Sequence, residues 1–158
     1  MIIRIEVGFK PHVTDALGEK VARRIRDHLG LPADNVRTIE VYTLEGDFTA
    51  EELEIIASGP LSDPIIQEYR IGKPLAREFD WLIEVGFRPG VTDNVGKTAR
   101  EAILLLLERA KESPLNVYTS RQYVIKGPLN QQEVESIASN LLANDLIEHY
   151  RIVAGRNW

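Results

Sequence analysis

The chain repeats itself. Residues 5–18, IEVGFKPHVTDALG, return at 83–96 as IEVGFRPGVTDNVG, an offset of 78 residues from Ile5 to Ile83. A second correspondence sets Ala57-Ser58 against Ala138-Ser139 and Ile66 to Ile71 against Ile147 to Ile152, with an offset of 81. Any fold for this sequence must therefore accommodate two equivalent units in register. The second unit is three residues longer between the matches, and Glu108 to Leu115 is the place predicted for them.

Within each copy the pattern reads βαβαβ. Ile3 to Phe9 and Leu82 to Phe87 read as strands that run into Lys10-Pro11 and Arg88-Pro89, where proline ends regular pairing. Thr14-Asp15 and Thr92-Asp93 supply N-cap chemistry for a following helix. Its apolar stripe is Leu17, Val21, Ile25 and Leu29 in the first copy and Val95, Ala99, Ile103 and Leu106 in the second, whose helix is expected over 95–110. Gly18 and Gly96 sit in the first turn of these helices, where glycine costs about 1 kcal/mol relative to alanine, so close backbone approach is expected there. Val36 to Glu45 and Val117 to Lys126 read as long strands. Thr49-Ala50-Glu51-Glu52 is a capping-box pattern, and Asn130-Gln131-Gln132-Glu133 is its near relative. Gly59-Pro60 stops the first of these second helices early, and the final strands are expected at Ile65 to Ile71 and Leu146 to Val153. The expectation is an α+β fold of two tandem βαβαβ repeats, 1–72 and 80–155, joined by a short linker at 73–79. The sheets should be mainly antiparallel with helices packed on them, and the halves should pack as a covalent pseudo-dimer.

Charge and composition narrow the function. The 158 residues carry 19 Lys and Arg against 24 Asp and Glu, a net of −5 that gives no general attraction for nucleic acid or anionic membrane. No stretch is long and apolar enough to suggest a membrane span, and the N-terminus alternates like a strand rather than reading as a signal peptide. The absence of cysteine removes disulfides and thiolate chemistry and fits a cytoplasmic protein. His12, His28 and His149 fall in different elements without metal-ligand spacing. No phosphate-binding glycine motif occurs, and Glu51-Glu52 is explained by favourable charge at a helix N-terminus. No catalytic, cofactor or metal residues are expected.

Two features point outward. Lys10-Pro11 and Arg88-Pro89 place a cation and a proline at the same strand end in both copies, a position suited to partner contact or to plain solvation. Leu104 and Leu105 stand where the first copy has Arg26 and Asp27, so they extend the apolar surface of their helix beyond one stripe. Either another part of the chain covers them or a partner docks there.

The segments Lys10 to Gly18 and Arg88 to Gly96 resemble the PurS pattern Lys-Pro-Gly-Val-x-Asp-x-x-Gly, and Leu141 to Tyr150 resembles the second PurS signature, Leu-Leu-Ala-Asn-Pro-x-Ile-x-x-Tyr. His12 replaces the glycine in the first copy, Asp145 replaces the proline in the second, and Ser62-Asp63-Pro64 keeps that proline without the Ala-Asn. The resemblance implies a non-catalytic, bridging part of formylglycinamidine ribonucleotide (FGAM) synthase in purine biosynthesis. Its implied partners are the ATP-using synthetase, PurL, and the glutaminase, PurQ, between which ammonia passes. A fused tandem resembles the N-terminal domain of the large single-chain synthetase, so the chain is expected to be such a domain or a free fused subunit. A small-molecule regulatory module of the ACT type is the alternative.

Overall fold

The computed structural model describes residues 1–157, and Trp158 lies outside the described residues. In chain order the elements are β1 (Ile2–Phe9), α1 (Ala16–Leu29), β2 (Asn35–Glu45), α2 (Ala50–Ser58) and β3 (Gln67–Ile71). Then come β4 (Trp81–Phe87), α3 (Asn94–Leu106), β5 (Asn116–Lys126), α4 (Gln131–Ile137) and β6 (Glu148–Ala154). A π turn, Ala138–Leu142, prolongs α4, and a 3-10 turn, Gly155–Asn157, follows β6. The class is α+β. The strands form a six-stranded sheet in the order β3-β1-β2-β5-β4-β6, in which β1 pairs antiparallel with β3, and β4 pairs antiparallel with both β5 and β6. The connection from α3 to β5 holds the second copy's additional residues, because α1 and α3 start 78 residues apart whereas β2 and β5 start 81 apart.

The first helix of each copy is fixed by one carboxylate. Asp15 caps α1 by accepting from Gly18 N at 2.8 Å, and its other oxygen accepts from Thr38 N at 2.6 Å and Thr38 Oγ1 at 2.9 Å. Asp93 does the same for α3, accepting from Gly96 N at 2.7 Å and Thr119 N at 2.6 Å. Each aspartate thus bolts a helix start to the strand that follows it. The glycine makes the approach possible: a Cβ on Gly18 would run into the Val36 carbonyl oxygen, and one on Gly96 into that of Val117. The second helices begin with reciprocal capping boxes, Thr49 with Glu52 and Asn130 with Glu133.

The chain forms two compact units that cut across the sequence copies. One comprises Met1–Val13, Glu40–Leu75 and Thr92–Thr119, so strands and α2 of the first copy are joined by α3 of the second. Its core includes Ile5, Val7, Leu44, Ile56, Ile103 and Leu115. The other comprises Thr14–Ile39, Ala76–Val91 and the chain from Ser120 onward, so strands and α4 of the second copy are joined by α1 of the first. Here Ile25 and Val36 pack with Ile83, Tyr123, Ile125 and Ile137. Each unit therefore takes its first helix from the other copy. The short connection is itself packed: Leu75 N donates to the buried Glu6 at 3.1 Å, and Ala76 and Phe79 are buried.

Three boundaries differ from the sequence expectation by two residues or more. β3 and β6 each start two residues later, because Ile65-Ile66 and Leu146-Ile147 belong to ordered turns. α3 ends at Leu106 rather than at residue 110, because Leu107 caps it and Glu108 takes a positive φ of 54° that turns the chain away. The lower half of the α3 stripe consequently runs through Ala99, Ile103 and Leu107, leaving Val95 and Leu106 exposed.

Two outcomes follow from this packing. Fragments 1–75 and 76–158, expressed separately, should give no folded monomer, since each lacks the helix that covers its own strands. Sedimentation and circular dichroism should find each unfolded or associated, and a cooperative melt from a monomeric fragment would contradict the exchanged cores. Asp15→Ala should lower stability by about 3 kcal/mol, because it removes a cap and leaves buried backbone and hydroxyl donors of Thr38 unpaired. Urea unfolding measures this, and a loss below about 1 kcal/mol would show that the bolt is dispensable.

Candidate partner-binding surfaces

The two cation–proline turns make the same backbone hydrogen bonds, although Gly90 takes a positive φ of 86° that His12 at the aligned position does not. Lys10 N donates to Ile66 O at 2.9 Å, and Arg88 N donates to Ile147 O at 2.8 Å, so each turn is stitched to the loop that precedes its copy's last strand. Arg88 donates through Nε to the Asp145 carbonyl at 2.7 Å and through Nη2 to Oδ1 of Asp145 at 2.8 Å. Arg88 thus braces its own unit, and Asp145, standing in the place of the signature proline, is the group it holds. Pro11 and Pro89 are exposed.

The stitched loops are built alike from different side chains. In the first copy Asp63 Oδ1 accepts from Ile65 N at 3.0 Å, while Asp63 N donates to Gln67 Oε1 at 2.8 Å. In the second, Asn144 Oδ1 accepts from Leu146 N at 3.1 Å, while Asn144 N donates to Glu148 Oε1 at 2.8 Å. Each loop presents one aliphatic side chain at its tip, Ile65 at 80% exposure and Leu146 at 86%. The sequence reading placed these residues in strands and missed the tips. The Asp-Pro and Asn-Asp pairs just before them, both turn formers, were the available signal.

On α3 the leucine pair separates. Leu104 is only 5% exposed and belongs to the core of its own unit, whereas Leu105 is 82% exposed. The contrast with Arg26 at the aligned position of α1 has a structural origin. Arg26 donates to the Ala33 carbonyl at 2.8 Å and ties down the loop after α1, with Ala22 buried one turn earlier. In α3 the order is reversed: Arg100 donates to the carbonyls of Leu115, Lys111 and Ser113 at 2.6, 2.9 and 3.0 Å, and Leu104 one turn later is buried. Arginine and apolar residue have exchanged places along one helix face. Leu105 has no such account, and it is exposed together with its neighbour Leu106 in the last turn of the helix.

The longer connection of the second copy makes a clamp. Arg109 Nη2 lies 2.8 Å from the Asp47 carbonyl and 3.2 Å from both oxygens of Glu52, and its guanidinium stacks 5.1 Å from the centre of the Phe48 ring. The backbone N–H of Thr49 and, further, the charge of Arg109 hold the Glu52 carboxyl below its ordinary range. Tyr69 is pushed up chiefly by its hydrogen bond to Glu54, and Tyr118 chiefly by the charge of Glu45. These pairs lie at the surface and none belongs to a convergent cleft. A shallow cleft of about 350 Å³ is lined by Phe79, Asp80, Trp81, Leu129 and Arg156 among others; its Trp81 and Asp80 side chains are bound internally, to the Leu129 carbonyl and the Gly127 N–H. Among the described residues no group of three or more His, Asp or Glu side chains is placed to hold a metal ion, and no helix is long and apolar enough to cross a membrane.

Residues 2–73, which run from β1 through β3, match the PurS family, described as phosphoribosylformylglycinamidine (FGAM) synthase. The matched stretch is PurS-like, and the match associates it with FGAM synthase of purine biosynthesis, of which PurS is a non-catalytic component. No curated protein matches the chain.

The Glu52 clamp has a pH signature. Because the folded pKa lies below the unfolded one, its stabilisation is complete above the ordinary glutamate value of about 4.3 and is lost as pH falls through the lower folded value. Melting temperature followed from neutral to acid pH should therefore fall less steeply below pH ~4 in Glu52→Gln than in the parent chain. Parallel curves would show that Glu52 titrates alike in both states.

Proposed function

We propose that the chain is a tandem of two PurS-like repeats, forming a covalent pseudo-dimer that serves FGAM synthase as a non-catalytic bridge between the ATP-using synthetase and the glutaminase. The observation that carries this reading is the PurS match over residues 2–73. The second repeat is supported by the recurrence of the Asp–Gly–Thr bolt, the capping box and the stitched turn at the corresponding positions. In this reading the chain acts through binding energy and alignment, while ATP and glutamine chemistry reside in its partners, either on separate subunits or on further domains of a longer synthetase. Lys10, Pro11, Arg88, Pro89 and Leu105 are its proposed contacts. Leu104 is withdrawn from that set because its side chain is buried in the core.

The test is reconstitution with the synthetase and glutaminase of the same organism. Adding the chain should raise glutamine-dependent FGAM formation severalfold while leaving ammonia-dependent formation nearly unchanged, and the chain alone should turn over nothing. Leu105→Asp should keep the parent melting temperature and weaken the assembly. Equal rates with and without the chain would remove the bridging role, and a melting temperature that climbs with added amino acid or nucleotide would favour a regulatory module instead.

A further inference from the structure

We propose that Ile65 and Leu146 are twin anchor residues, one in each compact unit, that insert into two like apolar sockets on a protein partner. The inference deepens the bridging role and rests on it for the partner's identity, but its physical basis is separate. Both side chains stand at 80% exposure or more at the tips of short loops. Isolated exposed aliphatics are ordinary, so exposure alone decides nothing. The construction of the loops does.

Each tip is held from both sides. A side-chain oxygen of Asp63 or Asn144 accepts from the tip residue's own N–H, and a side-chain oxygen of Gln67 or Glu148 accepts from the N–H at the start of the loop. The carbonyls of Asp63 and Asn144 accept from Ile66 and Gln67 N, and from Ile147 and Glu148 N, respectively. The carbonyl of the residue after the tip is taken by the cation–proline turn, Ile66 O by Lys10 N and Ile147 O by Arg88 N. A loop restrained in this way presents its aliphatic side chain with little conformational entropy left to lose on binding. The supporting residues differ between the copies, Asp against Asn, Pro against Asp, Gln against Glu, yet the bonds and the exposed branched aliphatic are the same. The outer faces of α1 and α3, by contrast, differ, with Asp27 on one against the exposed Leu105 on the other. The tips have stayed alike where the helices have not.

The chemistry selects a protein socket. Each tip offers one protruding aliphatic, with a half-exposed isoleucine beside it, which suits a pocket one side chain wide rather than a flat interface. The loop N–H and carbonyl groups named above are satisfied internally, which disfavours strand addition. An anionic membrane is disfavoured by the exposed carboxylates close by, Asp63 at one tip and Asp145 at the other, and by the net charge of −5. Like tips call for like sockets, hence a partner that carries the same pocket twice.

The experiment places a photo-crosslinking benzoylphenylalanine at Ile65 or at Leu146 in the full chain, with Ile2, an exposed aliphatic outside the tips, as control. Mixed with purified FGAM synthetase and glutaminase, both tip positions should crosslink to the same protein and the control should not. Ile65→Asp and Leu146→Asp should each weaken that complex about tenfold or more with unchanged melting temperature, and the double variant should lose about the product. Ile65→Ala and Leu146→Ala provide milder versions should an aspartate disturb the fold. A complex that forms without tip crosslinks and with unaltered affinity overturns the anchors while leaving the bridging role intact. If the parent chain binds neither protein, the bridging role fails, and the same crosslinkers used in cells of the source organism decide the anchors. One identified protein captured from both tips, whose purified form binds the parent chain and not the double variant, sustains them. No adduct, adducts between copies of this chain, or vesicle binding abolished by the double variant overturns them.

Discussion

Everything in this fold depends on two carboxylates, Asp15, which is buried, and Asp93, which is half-buried. Asp15 and Asp93 each join three otherwise unpaired donors: the first turn of a helix, the backbone of the strand that follows, and a threonine hydroxyl. A helix start leaves N–H groups without partners, and a strand that must leave its neighbours does too. One side chain satisfies both, and so sets the angle between helix and strand. The glycine three residues on is the steric counterpart, since only a residue without Cβ lets the helix rest against a strand carbonyl. The Val-Thr-Asp-x-x-Gly signature is thus architectural. It positions the cation–proline turns and the helix faces without taking part in chemistry.

Much of this was legible in the sequence because the signals are local. N-caps at Asp15 and Asp93, capping boxes at Thr49 and Asn130, and the site of the additional residues all follow from spacing within a few residues. The exchange of α1 and α3 between units was not legible, because an amphipathic stripe has the same period whichever sheet it covers. Nor was the pairing of Arg88 with Asp145, which are 57 residues apart in sequence. The stripe on α3 was misread at its end: aligning Leu29 with its counterpart gives Leu107, which packs on the core, rather than Leu106. The tips were hidden for a different reason. Ile-Ile and Leu-Ile invite a strand reading, but the side chains of Asp63 and Asn144 hold the tip residues in turns.

The two copies also show how one structural task can be met by different residues. The arginine that ties down a helix-to-strand loop sits at 26 in one helix and at 100, one turn earlier in register, in the other, and the buried apolar residue moves in the opposite sense. A proline stiffens one tip loop, whereas an aspartate held by an arginine braces the other. Sequence asymmetry between repeats is therefore weak testimony of divergent roles until the contacts are known. Leu104 shows this, and Leu105, which has no contact to explain it, marks where a real difference lies.

The exchanged helices separate heredity from mechanics. A substitution inherited in the first copy's opening helix is felt by the core built on the second copy's strands, and the reverse holds for the second copy's helix. Were the copies separate chains, that cross-dependence would make folding a second-order process sensitive to dilution; within one polypeptide the two halves meet at a fixed effective concentration. A mutational map of this chain is therefore expected to partition by spatial unit and not by position along the sequence.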